Sequence, residues 1–175
     1  GDIEDGEVKL YGKDNLDFGS GLDLFNETDE HLKVNMLANS ADWNLGFYED
    51  GEKMTFGSAA KLGFFPSQTY TTPVYSAEIT DPISVDDLNS NFNTVALDQM
   101  TFSEKVIDLN EITEAKNQVI YVRVKDAEGK YNYARVILDY DNGLVRSPSS
   151  AQDRHIVLRV SYQKEKDVPY AKTRM

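Results

Sequence analysis

Two histidines and four methionines are the side chains here that offer the nitrogen and sulfur donors preferred by haem iron or a late transition metal; cysteine is absent. Met36 and Met175 lie among these six, and Met54, Met100, His31 and His155 are the candidate ligands to test. They form no spaced cluster, so the sequence defines no metal site. Asp14, Asp17 and Asp23 invite a calcium reading. Their spacing lacks the alternating oxygen ligands and closing Glu of an EF-hand loop, and turn-forming aspartates explain them better. A hydrolase needs a nucleophile beside a base, usually His, and both histidines have the parity of solvent-facing strand positions. No Gly-x-Ser-x-Gly elbow, phosphate-binding glycine loop or dinucleotide fingerprint is present. Paired carboxylates carry no signal, because 30 acidic residues place some pair at glycosidase separation by chance. The reading is of a protein that is not an enzyme.

A second kind of chemistry is stacking. Residues 57–75 lose regular periodicity and carry Phe64, Phe65, Tyr70 and Tyr75, which reads as the longest loop of the chain. Aromatic rings on a loop held by a rigid sheet make a binding surface for a small molecule or a glycan. The competing reading has the same rings closing the open end of the core, where large hydrophobes are most useful, and it is the one the residue types favour.

Any such residues must be positioned by strands. Residues 117–143 read as a β-hairpin: Ile120, Val122 and Val124 alternate with Tyr121, Arg123 and Lys125, and Ala134, Val136 and Leu138 alternate with Tyr133, Arg135 and Ile137. Between the runs, Asp126 opens a type I turn and Gly129 is free to take the left-handed conformation. A further strong strand spans residues 154–163, with Ile156, Leu158, Val160 and Tyr162 facing inward and His155, Arg159 and Gln163 facing out. Residues 8–11, 16–25, 31–37, 95–102 and 105–109 are further strand candidates. Trp43, Leu45 and Phe47 would line one core face of a strand that forms a second hairpin with residues 53–56. Ser84 three residues ahead of Asp87 predicts one short helical turn.

The 175 residues fit a single all-β domain, antiparallel and sandwich-like, over residues 8–163. Residues 1–7 read as an acidic tether, and 164–175 as a charged tail that frays. A net charge of -12 argues against nucleic acid and anionic membrane surfaces as partners, since both attract basic proteins. No run approaches the roughly 18 apolar residues of a membrane span, and no signal peptide is visible. Beginning at Gly1 without Met suggests a trimmed N-terminus, which leaves room for an export signal or lipid anchor.

At four places the chain resembles the HmuY-like proteins, secreted or surface-anchored lipoproteins of Bacteroidetes. Asp17-Phe18-Gly19-Ser20-Gly21 is similar to the family's opening, and Trp43-Asn44-Leu45-Gly46-Phe47 to its Trp-Asp strand. Tyr121-Val122, Gly129-Lys130-Tyr131 and Ala134-Arg135-Val136 resemble its hairpin, and residues 156–162 its final aromatic strand. Asn44 departs from the usual Asp, and Met54-Thr55-Phe56-Gly57-Ser58 replaces a Thr-Asn-Gly-rich segment. The resemblance implies an exported, β-rich, non-enzymatic binding lipoprotein with haem as the first ligand to consider. It carries no axial ligand onto any position of this chain. The alternative is a carbohydrate- or protein-binding module of a surface uptake or adhesion system.

Overall fold

The computed structural model describes residues 3–12, 21–25, 32–34, 43–49, 52–62, 75–85, 96–112, 116–138 and 154–171. The central hairpin is present as β9 (Asn117–Lys125) and β10 (Tyr131–Leu138), with Ile120 opposite Val136 and Val122 opposite Ala134. Its turn follows from residue type. The Gly129 N–H donates to the Asp126 carbonyl at 3.1 Å, the Asp126 carboxylate accepts from the N–H groups of Glu128 and Lys130, and Gly129 has φ +83°. That conformation is nearly free for glycine and strained for most other residues.

Eleven strands are described, forming two antiparallel sheets. The first runs β1 (Ile3–Tyr11), β11 (His155–Gln163), β10, β9 and β6 (Glu78–Ile79), with β7 (Ile83–Val85) also paired to β9. The second runs β3 (Leu32–Val34), β2 (Gly21–Asp23), β4 (Leu45–Glu49), β5 (Met54–Ser58) and β8 (Val106–Asp108). Helical structure among the described residues is two three-residue 3-10 turns, Leu97–Gln99 and Leu109–Glu111. No helix among them is long and apolar enough to cross a membrane.

The two sheets share one core, which makes the all-β domain a sandwich. Val8, Leu10, Ile120, Val122, Val136, Ile156, Leu158, Val160 and Tyr162 come from the first sheet, and Leu22, Leu45, Phe47, Phe56 and Ile107 meet them from the second. Phe47 and Phe56 are cross-strand partners, both essentially without solvent contact. Each fully buried side chain of this size contributes about 1.5–3 kcal/mol, so the shared core outweighs any single polar contact.

The first sheet is covered on its other face as well. Leu97, Val119, Tyr121, Tyr133, Ile137 and Ala171 form a second apolar cluster, with Met100, Phe102 and Tyr131 against it. Two segments make this cover: residues 96–103, and the chain after β11. The latter, read from sequence as a fraying tail, packs through Ala171. Asp167 takes a left-handed φ of 57°, its N–H donates to the Tyr131 carbonyl at 2.7 Å, and its carboxylate accepts from the Tyr131 N–H at 2.9 Å. The Leu97 N–H then donates to the Pro169 carbonyl at 2.7 Å, joining the two covering segments.

Other expectations change with this layering. Gln163, placed by parity on a solvent face, is fully buried; Arg159 is exposed and His155 half-buried. Ser84, expected to open a short helical turn, lies in β7, where Ile83 pairs with Val119; residues 86–88, where that turn would run, lie outside the described residues. Residues 97–99, expected in a strand, form a 3-10 turn. β1 begins at Ile3, inside the presumed tether, and pairs along its length with β11. Trp43 is buried but leaves the face of Leu45 and Phe47 to pack with Ala59 and Leu62.

Burial pushes the Tyr121 phenol up to about 12, against an opposing pull from the nearby Arg135 charge. Because the folded value lies above the unfolded one, Tyr121 supports the fold fully below about pH 10, and that support is lost as pH rises toward 12. An alkaline unfolding series should show stability falling through this window, and Tyr121→Phe should flatten the fall. An equal slope in wild type and variant would assign the loss to other groups.

Candidate functional site

The described residues on either side of the segment expected to be a loop, 59–62 and 75–77, meet on a small polar and aromatic base. Trp43 is fully buried against Ala59 and Leu62, with Tyr48 alongside, so the outgoing end of the loop is fixed by packing. The incoming end is fixed by hydrogen bonds. The Asn44 amide nitrogen donates to the Tyr75 carbonyl at 2.7 Å, the Ala77 N–H donates to the Asn44 carbonyl at 3.1 Å, and the Ala60 N–H donates to the Ser76 hydroxyl at 2.9 Å. The same Asn44 carbonyl accepts from Ala59 N–H at 3.0 Å, and its side-chain oxygen accepts from Leu24 N–H at 2.8 Å. One residue, 6% exposed, therefore ties β2, β4, the end of β5 and both feet of the loop together.

Tyr75 is described and exposed, with 42% of its surface open to solvent. Phe64, Phe65 and Tyr70 lie outside the described residues, as does His31. The other donor candidates are not brought together. Met54 packs against the main core, Met100 against the second cluster on the far face of the first sheet, and His155 sits beside the Tyr11 ring with centroids 5.2 Å apart. Among the described residues no three His, Asp or Glu side chains converge as a metal site would require.

No family model, curated protein or solved structure matches this chain. The likeness to HmuY-like proteins thus rests on the quoted residues alone. Asn44 needs an acceptor toward Leu24 and a donor toward Tyr75 on the same side chain, which a carboxamide has and a carboxylate lacks.

A second polar cluster escaped sequence reasoning. Glu49, the last residue of β4, is 1% exposed and accepts from the Arg154 guanidinium at 2.9 Å, joining the second sheet to the start of β11 in the first. The Gly12 N–H donates to the Arg154 carbonyl at 2.9 Å, and a Cβ on Gly12 would collide with the Glu49 carboxylate. The partners are 105 residues apart, so no local pattern announces the pair. A half-buried stack is similar in kind: the Arg123 guanidinium lies 4.8 Å from the Phe102 ring and 4.4 Å from the Tyr131 ring, and donates to Glu78 at 3.1 Å. Both groupings are structural ties, each linking elements distant in sequence.

Removing the cation from a buried carboxylate is costly, so Arg154→Met should destabilise by about 3 kcal/mol, the low end for a buried pair because the arginine is partly exposed. Glu49→Gln should cost less, and Gly12→Ala should destabilise by displacing Glu49. Urea unfolding of the three variants checks this order. Equal stability of Arg154→Met and wild type would show that the pair contributes nothing.

Proposed function

We propose that this chain is a non-enzymatic ligand-binding module whose recognition element is the aromatic segment from Phe64 to Tyr75. The observation that carries the reading is the exposed Tyr75 ring beside a base in which Trp43 packs on Leu62 and Asn44 holds the Tyr75 carbonyl. An aromatic ring kept in solvent on a fixed base costs little further ordering when it meets a flat apolar face. Pyranose rings offer such a face, so a glycan or glycan-like small molecule is the ligand class preferred here. The same exposure argues against the reading in which this ring closes the core. An exported, lipid-anchored setting belongs to the proposal and rests on the resemblance to HmuY-like proteins.

Haem is the rival ligand, named by that resemblance. Met54, Met100 and His155 stand in three separate surroundings, which favours the stacking platform over a site ligated by any two of them.

Saturation-transfer NMR with a panel of soluble gluco-, xylo- and mannohexaoses tests the glycan reading. Binding should appear for at least one, and Tyr75→Ala should weaken it about tenfold or more, the scale of a central aromatic contact. The same variant should unfold within about 0.5 kcal/mol of wild type, because its side chain is exposed and its carbonyl remains. Absence of binding across the panel, or an unchanged affinity in the variant, would sink the platform. Haemin titration in both redox states decides the rival: a saturable Soret shift would move the assignment to haem.

A further inference from the structure

We infer that residues 164–171 are a strap over the outer face of the first sheet, opening and closing independently of the sandwich, with Asp167 as the residue that locks it. Its existence does not depend on the binding reading. The strap begins where strand pairing stops. β11 pairs with β10 as far as Tyr162 and Ala134, and the Asn132 amide nitrogen then donates to the carbonyls of Gln163 and Lys164 at 3.0 and 3.2 Å. Burial changes at the same point. Tyr162 and Gln163 are buried, whereas Glu165, Lys166 and Asp167 are exposed and Ala171 is the only buried residue from 164 to 171.

Three ties close the strap. Asp167, in a left-handed turn with φ 57°, faces Tyr131 with a backbone donor and a side-chain acceptor, at 2.7 and 2.9 Å. Lys166 pairs with one oxygen of Asp126 at 3.2 Å, while the other oxygen of that carboxylate holds the hairpin turn through the N–H groups of Glu128 and Lys130. Further on, the Pro169 carbonyl accepts from Leu97 N–H, and Ala171 joins the outer cluster of Tyr121, Tyr133 and Ile137.

Closure gains little from water exclusion, because one alanine is all that the strap buries completely. Its ion pair joins side chains that are 44% and 23% exposed, where water competes and salt screens. The turn at Asp167 also works against closure, since a residue with a Cβ is disfavoured in the left-handed region. The other covering segment does not need the strap. Ile79 and Ser103 exchange backbone hydrogen bonds at 2.8 and 3.1 Å, the Phe102 ring meets Tyr133 edge-on, and Arg123 lies over Phe102. Lifting residues 164–171 thus bares a tyrosine-rich apolar face and breaks neither sheet.

The chain contains no cysteine, so a single introduced thiol reports on one place. Ala171→Cys probes the strap, and Ala134→Cys, equally without solvent contact, probes the core between the sheets. Labelling with DTNB in native buffer should be at least about a hundredfold faster at position 171 than at 134, because the strap opens before the domain unfolds. Adding Asp167→Ala, which removes the acceptor and resists the left-handed turn, should speed labelling at 171 about tenfold or more and leave 134 unchanged. Asp167→Asn keeps an oxygen acceptor and tolerates the turn, and should stay within about threefold of the Ala171→Cys parent. Hydrogen exchange of the unsubstituted protein repeats the test with no new side chain. The Leu97, Tyr131 and Asp167 N–H groups, each bonded across the strap, should exchange together and faster than the amides paired between β9 and β10. Equal labelling at 171 and 134, or equal protection of these two sets of amides, would show that the segment opens only with the whole domain and would overturn the strap. An Asn variant as reactive as the Ala variant would remove Asp167 from its locking role.

Discussion

Burial of both faces of the β9–β10 hairpin is the constraint on which the rest of the structure depends. A two-stranded ribbon is marginal in water, and one covered face gives the familiar alternation of buried and exposed residues. Here the inner face meets the second sheet through Ile120, Val122, Val136 and Leu138, while Val119, Tyr121, Tyr133 and Ile137 on the opposite face meet Leu97 and Ala171. The hairpin is therefore the middle of three layers. β11 and β1 extend it on one side and β6 and β7 on the other, and the covering segments are cross-linked by the Leu97–Pro169 hydrogen bond. This arrangement also explains why tyrosine and arginine, rather than aliphatic residues alone, occupy the outer rows. Tyr121 stands opposite Arg135, and Arg135 donates to Ser161 on the next strand at 3.1 Å, a polar link between β10 and β11 within a face that is otherwise apolar.

The parts of this fold that were legible in the sequence are those whose cause is local. The Asp126–Gly129 turn, the strands β9, β10 and β11 and the β4–β5 hairpin each follow from neighbouring residues, and the structure has them at the expected positions, though the face of β9 and β10 that the pattern gives to solvent is covered. What was not legible depends on distant chain. Gln163 has the parity of an exposed residue and is buried, in the part of β11 next to the docked segment that follows it. Ser84 begins a good helix-start pattern, and nothing near it reveals that it lies in a strand paired with Gln118, 34 residues away. Trp43 follows the period of its strand in sequence, yet the hydrogen bonds at Asn44 turn the chain before β4 and send the indole to a separate cluster.

The candidate site divides in the same way. Residue types alone singled out the aromatic loop, since rings without periodicity are visible in any sequence. Its base was invisible, because nothing near Asn44 reveals that Leu24, Ala59, Tyr75 and Ala77 converge on it. The sulfur and imidazole candidates show the converse. They are conspicuous by type, but Met54 and Met100 serve two different apolar clusters, which is the ordinary use of a flexible thioether.

Rigidity is distributed to suit this division of roles. Where the two sheets meet near the start of β11, a buried carboxylate and a guanidinium join them, and the Glu49 carboxylate occupies the space that a side chain at residue 12 would need. Such a pair contributes little net stability against its desolvation cost, and its value lies in holding two sheets at one spacing. At the loop base the holding group is a neutral amide instead. A charge there would meet a carbonyl oxygen on one side and an N–H on the other, and could satisfy only one of them; the amide satisfies both without burying a charge. A frame fixed by charge at one place and by a neutral donor and acceptor at another can present a segment for binding while keeping the low-dielectric ground beneath it free of uncompensated charge.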